Sequence, residues 1–161
     1  PVLFLGMLLM VACKQEIPQV DSQPEKMTEH QEPSVAELRD RLKEKGYEIF
    51  DYVDEETGDT VLMQQYFIAF LKRGPNRSQT TEEADSLQQL HMAHLGRMYD
   101  EGFADISGPF GDDGDIRGIT IYNTPTFEMA DSLANMDPMV KAGRLVIELH
   151  PWWAAKGYPL R

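Results

Sequence analysis

The hydrophobic pattern changes its period several times along the chain and thereby predicts a series of helices and strands. Apolar residues recur every three or four positions after Ser34, which is the spacing of an amphipathic helix. Ser34 followed by Glu37 is a capping-box pattern that marks the start of this helix, and Gly46 marks its end. Residues 47–53 then alternate between polar and apolar positions, as a strand does, before a turn at 56–59.

From residue 60 onward the pattern predicts six elements in the order strand, helix, strand, strand, helix, strand. They are a strand at 60–71, a helix from Thr80 or Thr81 to Gly102, strands at 103–110 and 116–122, a helix at 126–136, and a strand at 143–150 closed by Pro151. This order is that of a ferredoxin-like α+β fold, βαββαβ, in which one antiparallel sheet carries both helices on one face. An apolar sheet face left bare favours a homodimer. The helix and strand at 34–59 form an extension that either lengthens a sheet edge or covers the bare face.

The first 33 residues have the pattern of a targeting segment rather than of a folded domain. Residues 2–12 are apolar but too few to span a membrane, and Cys13, the only cysteine, follows at once. We expect residues 1–13 to be a signal peptide with a bacterial lipobox, Cys13 to be the lipidation site, and a basic leader to precede them. The alternative is a buried strand that ends in a core cysteine. Residues 14–33 are polar and proline-rich, which predicts a disordered tether.

Composition and charge narrow the range of partners. A net charge of -12 and the absence of Lys and Arg clusters along the sequence argue against nucleic-acid binding. Because Cys13 is the only cysteine, the domain cannot form an internal disulfide and must be stabilised by packing. A lipid on Cys13 would place the protein in the bacterial cell envelope, at a periplasmic or outer-membrane face.

One histidine and one aspartate are the first candidates for chemistry. His94 lies on the apolar stripe of the second predicted helix, and Asp137 precedes Pro138 shortly before the last strand. A carboxylate beside an imidazole fixes the tautomer of the ring and stabilises its charged form, which suits proton transfer near neutral pH. The alternatives are a core histidine bonded to the backbone and an Asp-Pro pair that only begins a turn.

Several stretches of the sequence together resemble the YCII-related family, and in particular its secreted bacterial lipoproteins. They are HMAHLGRMYDEGF around His94, ISGP at 106–109, ANMDPMVKAG around Asp137, and ELHPWW in the final strand. The likeness covers residues 60–157. It implies a dimeric α+β barrel of ferredoxin-like subunits, with a site formed by the histidine and the aspartate at His94 and Asp137. One relative dehydrochlorinates a hydroxyquinone, whereas most members have no assigned reaction.

A second histidine on the same helix leaves a metal site open as an alternative. His91 and His94 are three residues apart and could bind a metal ion together with Asp137 or His150. Most such histidine pairs bind nothing, so no metal is assigned.

Other residues also allow both a chemical and a structural interpretation. Asp112, Asp113 and Asp115 suggest calcium, but they lack the loop length and the later glutamate of a calcium hand, which favours a solvated hairpin loop. The pairs Gly108-Pro109 and Trp152-Trp153 fit either a ligand site or simple turning and packing.

The sequence therefore predicts a membrane-anchored, YCII-like lipoprotein with a His94–Asp137 acid–base site for a small organic molecule. A dyad with no nucleophile is typical of a lyase or isomerase. Neither the Walker nor the dinucleotide glycine pattern is present, and no cofactor is expected. The alternative is a non-catalytic module that binds a small ligand or assembles with partners while tethered to the membrane.

Overall fold

The computed structural model describes residues 33–158 and Leu160. Its elements in chain order are α1 (Val35–Glu44), β1 (Ile49–Val53), β2 (Thr60–Arg73), α2 (Thr81–Asp100), β3 (Ala104–Pro109), β4 (Ile116–Tyr122), α3 (Phe127–Asn135), α4 (Pro138–Lys141) and β5 (Leu145–Ala155). The predicted signal segment with Cys13, and all of the predicted tether except Pro33, lie outside the described residues.

The five strands form one antiparallel sheet built around the long strand β2. Strand β5 pairs with one side of β2, whereas β1 and β4 pair with successive parts of its other side, and β3 pairs with β4. Apart from β1, the strand order is β5-β2-β4-β3. Together with the element order, it confirms the predicted α+β, ferredoxin-like arrangement.

The extension at 34–59 belongs to the same sheet. Strand β1 lengthens the sheet beside the first part of β2, from Val53 opposite Thr60 to Ile49 opposite Gln64. Helix α1 buries Leu42, and its Arg39 forms an ion pair with Asp51 of β1. Packing and one ion pair therefore attach the extension to the sheet.

The helices begin where side chains can bond their free backbone N–H groups. Ser34 and Glu37 form the predicted capping box of α1, and Thr80 and Glu83 form a second one at the start of α2. Such a cap contributes about 1 kcal/mol to stability because the first N–H groups of a helix otherwise have no partner. The start of α2 is thereby fixed, and this helix supplies both candidate histidines.

Two elements differ from the sequence-based predictions. The short helix α4 was not predicted, because four residues are too few to show a helical period. The prediction that Pro151 closes the last strand was wrong, since β5 continues to Ala155 and Pro151 lies opposite Phe67. Strand β5 is an edge strand that pairs with β2 alone, and a proline without an N–H is tolerated there.

The core lies between the sheet and helices α2, α3 and α4. It comprises Phe67, Ala69 and Leu71 of β2, Tyr122 of β4, Met98 of α2, Ala130 and Ala134 of α3, and Met139 of α4 with smaller neighbours. Fully burying one large apolar side chain contributes about 1.5 to 3 kcal/mol. Met98 is only 1% exposed. His94 and His91 precede it by four and seven residues, so the helical period turns all three toward the sheet.

The opposite face of the sheet carries a row of half-buried apolar side chains. Ile68 lies opposite Ile121, and Phe70 lies opposite Ile119, in the pairing of β2 with β4. Ile106 of β3 adjoins Ile121 on the same face. Within the described residues, no helix is both long enough and apolar enough to cross a membrane.

Candidate functional site

The carboxylate of Asp137 is paired with His91, one turn of α2 away from the histidine that the sequence favoured. His91 Nδ1 donates to Asp137 Oδ2 at 2.6 Å. The two side chains are almost fully buried, with residue exposures of 8% for His91 and 2% for Asp137. A buried hydrogen bond to a carboxylate is short and strong, and it fixes the proton of the neutral ring on Nδ1.

Asp137 is held in place by the local structure of its own segment. Its Oδ1 accepts the backbone N–H of Met139 at 2.8 Å, so Asp137 is the N-cap of α4, with Pro138 as the first helical residue. One carboxylate thus caps a helix through one oxygen and orients His91 through the other. The structural and functional interpretations of Asp137-Pro138 are compatible with each other.

His94 has a different environment. Arg97 Nη2 donates to His94 Nδ1 at 3.2 Å, which assigns the proton of the neutral ring to Nε2. That Nε2 is buried and has no hydrogen-bond partner among the described residues. Burial lowers the pKa of the His94 imidazole, the Asp137 carboxylate opposes this shift, and the positive charge of Arg97 adds to it. Burial therefore favours the neutral form of His94, and the Asp137 carboxylate bonds His91 rather than the predicted His94.

His91 opens onto a cavity of about 670 Å³ between α2 and the strand ends. Ser107, Gly108 and Pro109 of β3 line the same cavity, whereas neither His94 nor Asp137 does. Ser107 Oγ lies 3.0 Å from Thr120 Oγ1, so this hydroxyl already has a partner. His91 Nε2 has no hydrogen-bond partner in the described part of the chain, and it is the nitrogen left for a ligand.

The absence of a side chain at Gly118 allows β4 to lie close to β3 in the cavity wall. A Cβ atom on Gly118 would lie only 2.6 Å from the backbone oxygen of Gly108. Both glycines line the cavity. Gly108 and Pro109 do line the cavity, but a Cβ atom on Gly108 would meet nothing within 4 Å, so the close approach does not depend on a glycine at this position.

Four arginines line one region of this cavity, namely Arg73, Arg77, Arg117 and Arg144. They are half of the eight arginines in a chain whose net charge is -12. Partial desolvation, and then the positive charges of the other three arginines, lower the pKa of the Arg77 guanidinium. The positive charges of the four arginines are therefore close enough for the other three to affect the pKa of Arg77.

Few acceptors among the described residues neutralise this arginine cluster. Arg73 Nη2 and Arg117 Nη1 share the Oδ1 atom of Asp113, at 3.0 and 2.8 Å. Arg144 Nη1 donates to the neutral Gln79 at 3.0 Å, and its Nε is buried without a partner within the described residues. Asp113 is therefore an ion-pair residue of the hairpin loop.

The remaining candidate residues do not join the site. No three His, Cys, Asp or Glu side chains in the described part of the chain lie close enough to hold a metal ion together. His150 bonds Glu148 and packs edge-on against Phe70. Trp152 and Trp153 contact Tyr66 and Phe50, with ring centroids 6.2 and 5.0 Å apart, and this favours the packing interpretation.

The sequence contains signals that could have identified the residues it left unassigned. His91 lies on the same helical stripe as His94, so either ring was equally able to meet Asp137. Arg73 ends β2, Arg117 is the second residue of β4, and Arg144 directly precedes β5. Since antiparallel neighbours begin where β2 ends, the predicted topology already places these three arginines at one end of the sheet.

The sequence matches no protein-family model and no curated protein. Among solved structures, a similar one is that of 5-chloro-2-hydroxyhydroquinone dehydrochlorinase from Burkholderia phenoliruptrix AC1100, in complex with 2,5-dihydroxybenzoquinone. The sequence identity is 21% and the TM-score is 0.41, over 54% of this chain and 92% of that chain. This likeness concerns the fold alone.

Proposed function

We propose that this protein is an acid–base catalyst that acts on a small organic molecule through His91 and Asp137. The observation that carries the proposal is the 2.6 Å hydrogen bond from His91 Nδ1 to Asp137, combined with the position of His91 on the cavity wall. The volume of about 670 Å³ is within the range of small-molecule sites.

In the proposed reaction, His91 Nε2 removes a proton from the substrate. In an isomerase it returns the proton to another position of the substrate; in a lyase the bond to a leaving group breaks and the proton is given to that departing group. The Asp137 carboxylate stabilises the imidazolium that forms after proton removal, because it accepts the Nδ1–H bond throughout. Transfer of a proton without a covalent intermediate corresponds to a lyase or an isomerase. The catalytic role predicted for His94 stays a prediction, and substitution of each histidine separates the two assignments.

The experiment is solvent-deuterium exchange. A panel of small cyclic ketones and phenols is incubated with the protein in D2O, and exchange or elimination is followed by NMR. We expect His91→Gln to slow the reaction by about 10²- to 10⁴-fold, the usual contribution of general acid–base catalysis. His150→Gln is the matched control, because His150 is exposed and lies outside the cavity.

Three outcomes have different meanings. Loss of exchange in His91→Gln alone supports the proposed dyad. Loss in His94→Gln, with His91→Gln fully active and both variants folded, would assign the chemistry to the histidine favoured by the sequence. Binding of panel compounds without any exchange would favour the non-catalytic ligand-binding module.

We further propose that the chain is a YCII-related lipoprotein of the bacterial cell envelope, anchored through a lipid on Cys13. The support is the apolar run before Cys13, the polar stretch after it, and the sequence motifs around residues 91–103 and 134–143. A tether of about 20 residues would allow the domain to act at a distance from the membrane surface.

We also propose that two copies associate through the apolar sheet face. Five half-buried side chains form the apolar part of this face, namely Ile68, Phe70, Ile106, Ile119 and Ile121, and the exposed Glu148 and His150 of β5 border it. A second copy is the occupant that fits, because the same apolar patch on both subunits is self-complementary in a two-fold dimer.

A further inference from the structure

We propose that the arginine cluster binds the acidic group of a small organic anion whose apolar body extends toward His91. This inference rests on the proposed function and names its class of substrate. The cluster consists of Arg73, Arg77, Arg117 and Arg144, all of which line the cavity that contains His91.

The charges of the side chains that line the cavity are not balanced. Four arginines line one cavity, and Asp113 is the carboxylate that pairs with two of them, Arg73 and Arg117. No described residue forms a hydrogen bond or an ion pair with the Arg77 side chain. Positive groups gathered in this way repel one another, and an anion in the cavity would relieve the repulsion.

The arginine side chains also carry many hydrogen-bond donors. Each guanidinium has five N–H donors in a planar fork that matches a carboxylate or a phosphate. Arg144 uses one donor on Gln79, and its buried Nε has no acceptor within the described residues. The region therefore offers more donors than the neighbouring side chains accept.

The cavity also has an apolar surface beside the arginines. Leu71, Leu95, Met139 and Leu145 line the same cavity, and His91 lies among them. A ligand that has one charged end and an apolar ring or chain would contact both surfaces at once. The arginines would hold the acidic group and so position the rest of the molecule for proton transfer at His91 Nε2.

The test is isothermal titration calorimetry on the full chain with benzoate, phenyl phosphate and the neutral analogue benzamide, at constant ionic strength. We expect at least one of the two anions to bind about tenfold or more tightly than benzamide, since a hydrogen bond between two charged groups is stronger than one between neutral groups. The two anions distinguish a carboxylate ligand from a phosphate ligand.

Substitutions then locate the binding. Arg77→Gln should weaken anion binding about tenfold, and Arg77→Lys should weaken it less because the charge is retained. Neither should change benzamide binding. Arg41→Gln is the control: it removes the same charge from the exposed end of α1, outside the cavity.

The results separate this inference from the proposed function. If anion binding depends on Arg77 and no proton exchange occurs at His91, the anion site is supported and the proposed acid–base catalysis is contradicted. Equal binding of both anions and benzamide, or no effect of Arg77→Gln on anion binding, would overturn the anion site whether or not exchange occurs.

Discussion

Asp137 accepts the Nδ1–H of His91 at 2.6 Å with one carboxylate oxygen and caps α4 with the other. The position of the carboxylate is therefore set by backbone structure, and the orientation of the ring is set by the carboxylate. Helix α4 packs against α2, so the two partners are supplied by elements that stabilise each other. The proposed catalytic pair is therefore preorganised by the fold itself.

Removal of the Asp137 carboxylate should reduce stability as well as activity. Asp137→Ala deletes an N-cap, which costs about 1 kcal/mol, and leaves the buried His91 N–H unpaired, which costs about 1 to 3 kcal/mol. We expect a total loss of about 2 to 4 kcal/mol in the free energy of unfolding, measured by urea denaturation.

Asp137→Asn is the informative companion variant. Asparagine can still cap α4, so the loss of stability should be smaller than in Asp137→Ala. Its NH2 group can donate to His91 and reverse the tautomer, which should abolish proton exchange. Equal stability of Asp137→Ala and the wild type would show that the capping bond and the bond to His91 contribute nothing.

The buried His94 should make stability depend on pH. Its pKa is lowered from 6.5, first by burial, so the unfolded state binds a proton before the folded state does. The contribution of His94 to the free energy of unfolding should therefore be constant above pH 6.5. Below that value, this contribution should fall as the pH decreases. Protonation on Nδ1 would also break the bond from Arg97.

Urea denaturation between pH 7.5 and pH 5 measures this dependence. The stability of His94→Gln should depend less on pH than that of the wild type across the same interval. An unchanged slope in His94→Gln would contradict the assignment of a lowered pKa to His94.

The proposed dimer should dissociate when charge is placed on the apolar sheet face. Phe70→Glu introduces a carboxylate among Ile68, Ile119 and Ile121, where a partner subunit would exclude water. We expect a shift from dimer to monomer in sedimentation velocity. Leu90→Glu is the control, because Leu90 is 51% exposed on α2. A wild-type chain that sediments as a monomer at all concentrations would contradict the proposal.

The proposed lipid anchor should depend on Cys13. In bacterial cells that produce the full precursor, we expect the wild-type protein in the membrane fraction and Cys13→Ser in the soluble fraction, since serine cannot receive the thioether-linked lipid. The measurement is fractionation with immunodetection. Cys13→Ser protein that stays membrane-bound to the same extent would show that another segment is the anchor.

Local patterns in the sequence determined the elements of the fold. Period-two alternation identified the strand at 47–53, the capping pattern of Ser34 and Glu37 marked the start of the first helix, and the order of elements predicted a ferredoxin-like sheet. These features depend on backbone geometry over a few residues, so they can be inferred without tertiary contacts. A four-residue helix such as α4 has no measurable period and was missed.

Tertiary structure alone decided which residues meet. His91 and His94 occupy the same stripe of α2, and only the packing of α4 against that helix places Asp137 on His91. The predicted topology places Arg73, Arg117 and Arg144 at one end of the sheet, but only the tertiary structure adds Arg77 and puts all four around one cavity with His91. Such contacts depend on topology and on the relative rotation of packed elements, which local sequence does not encode.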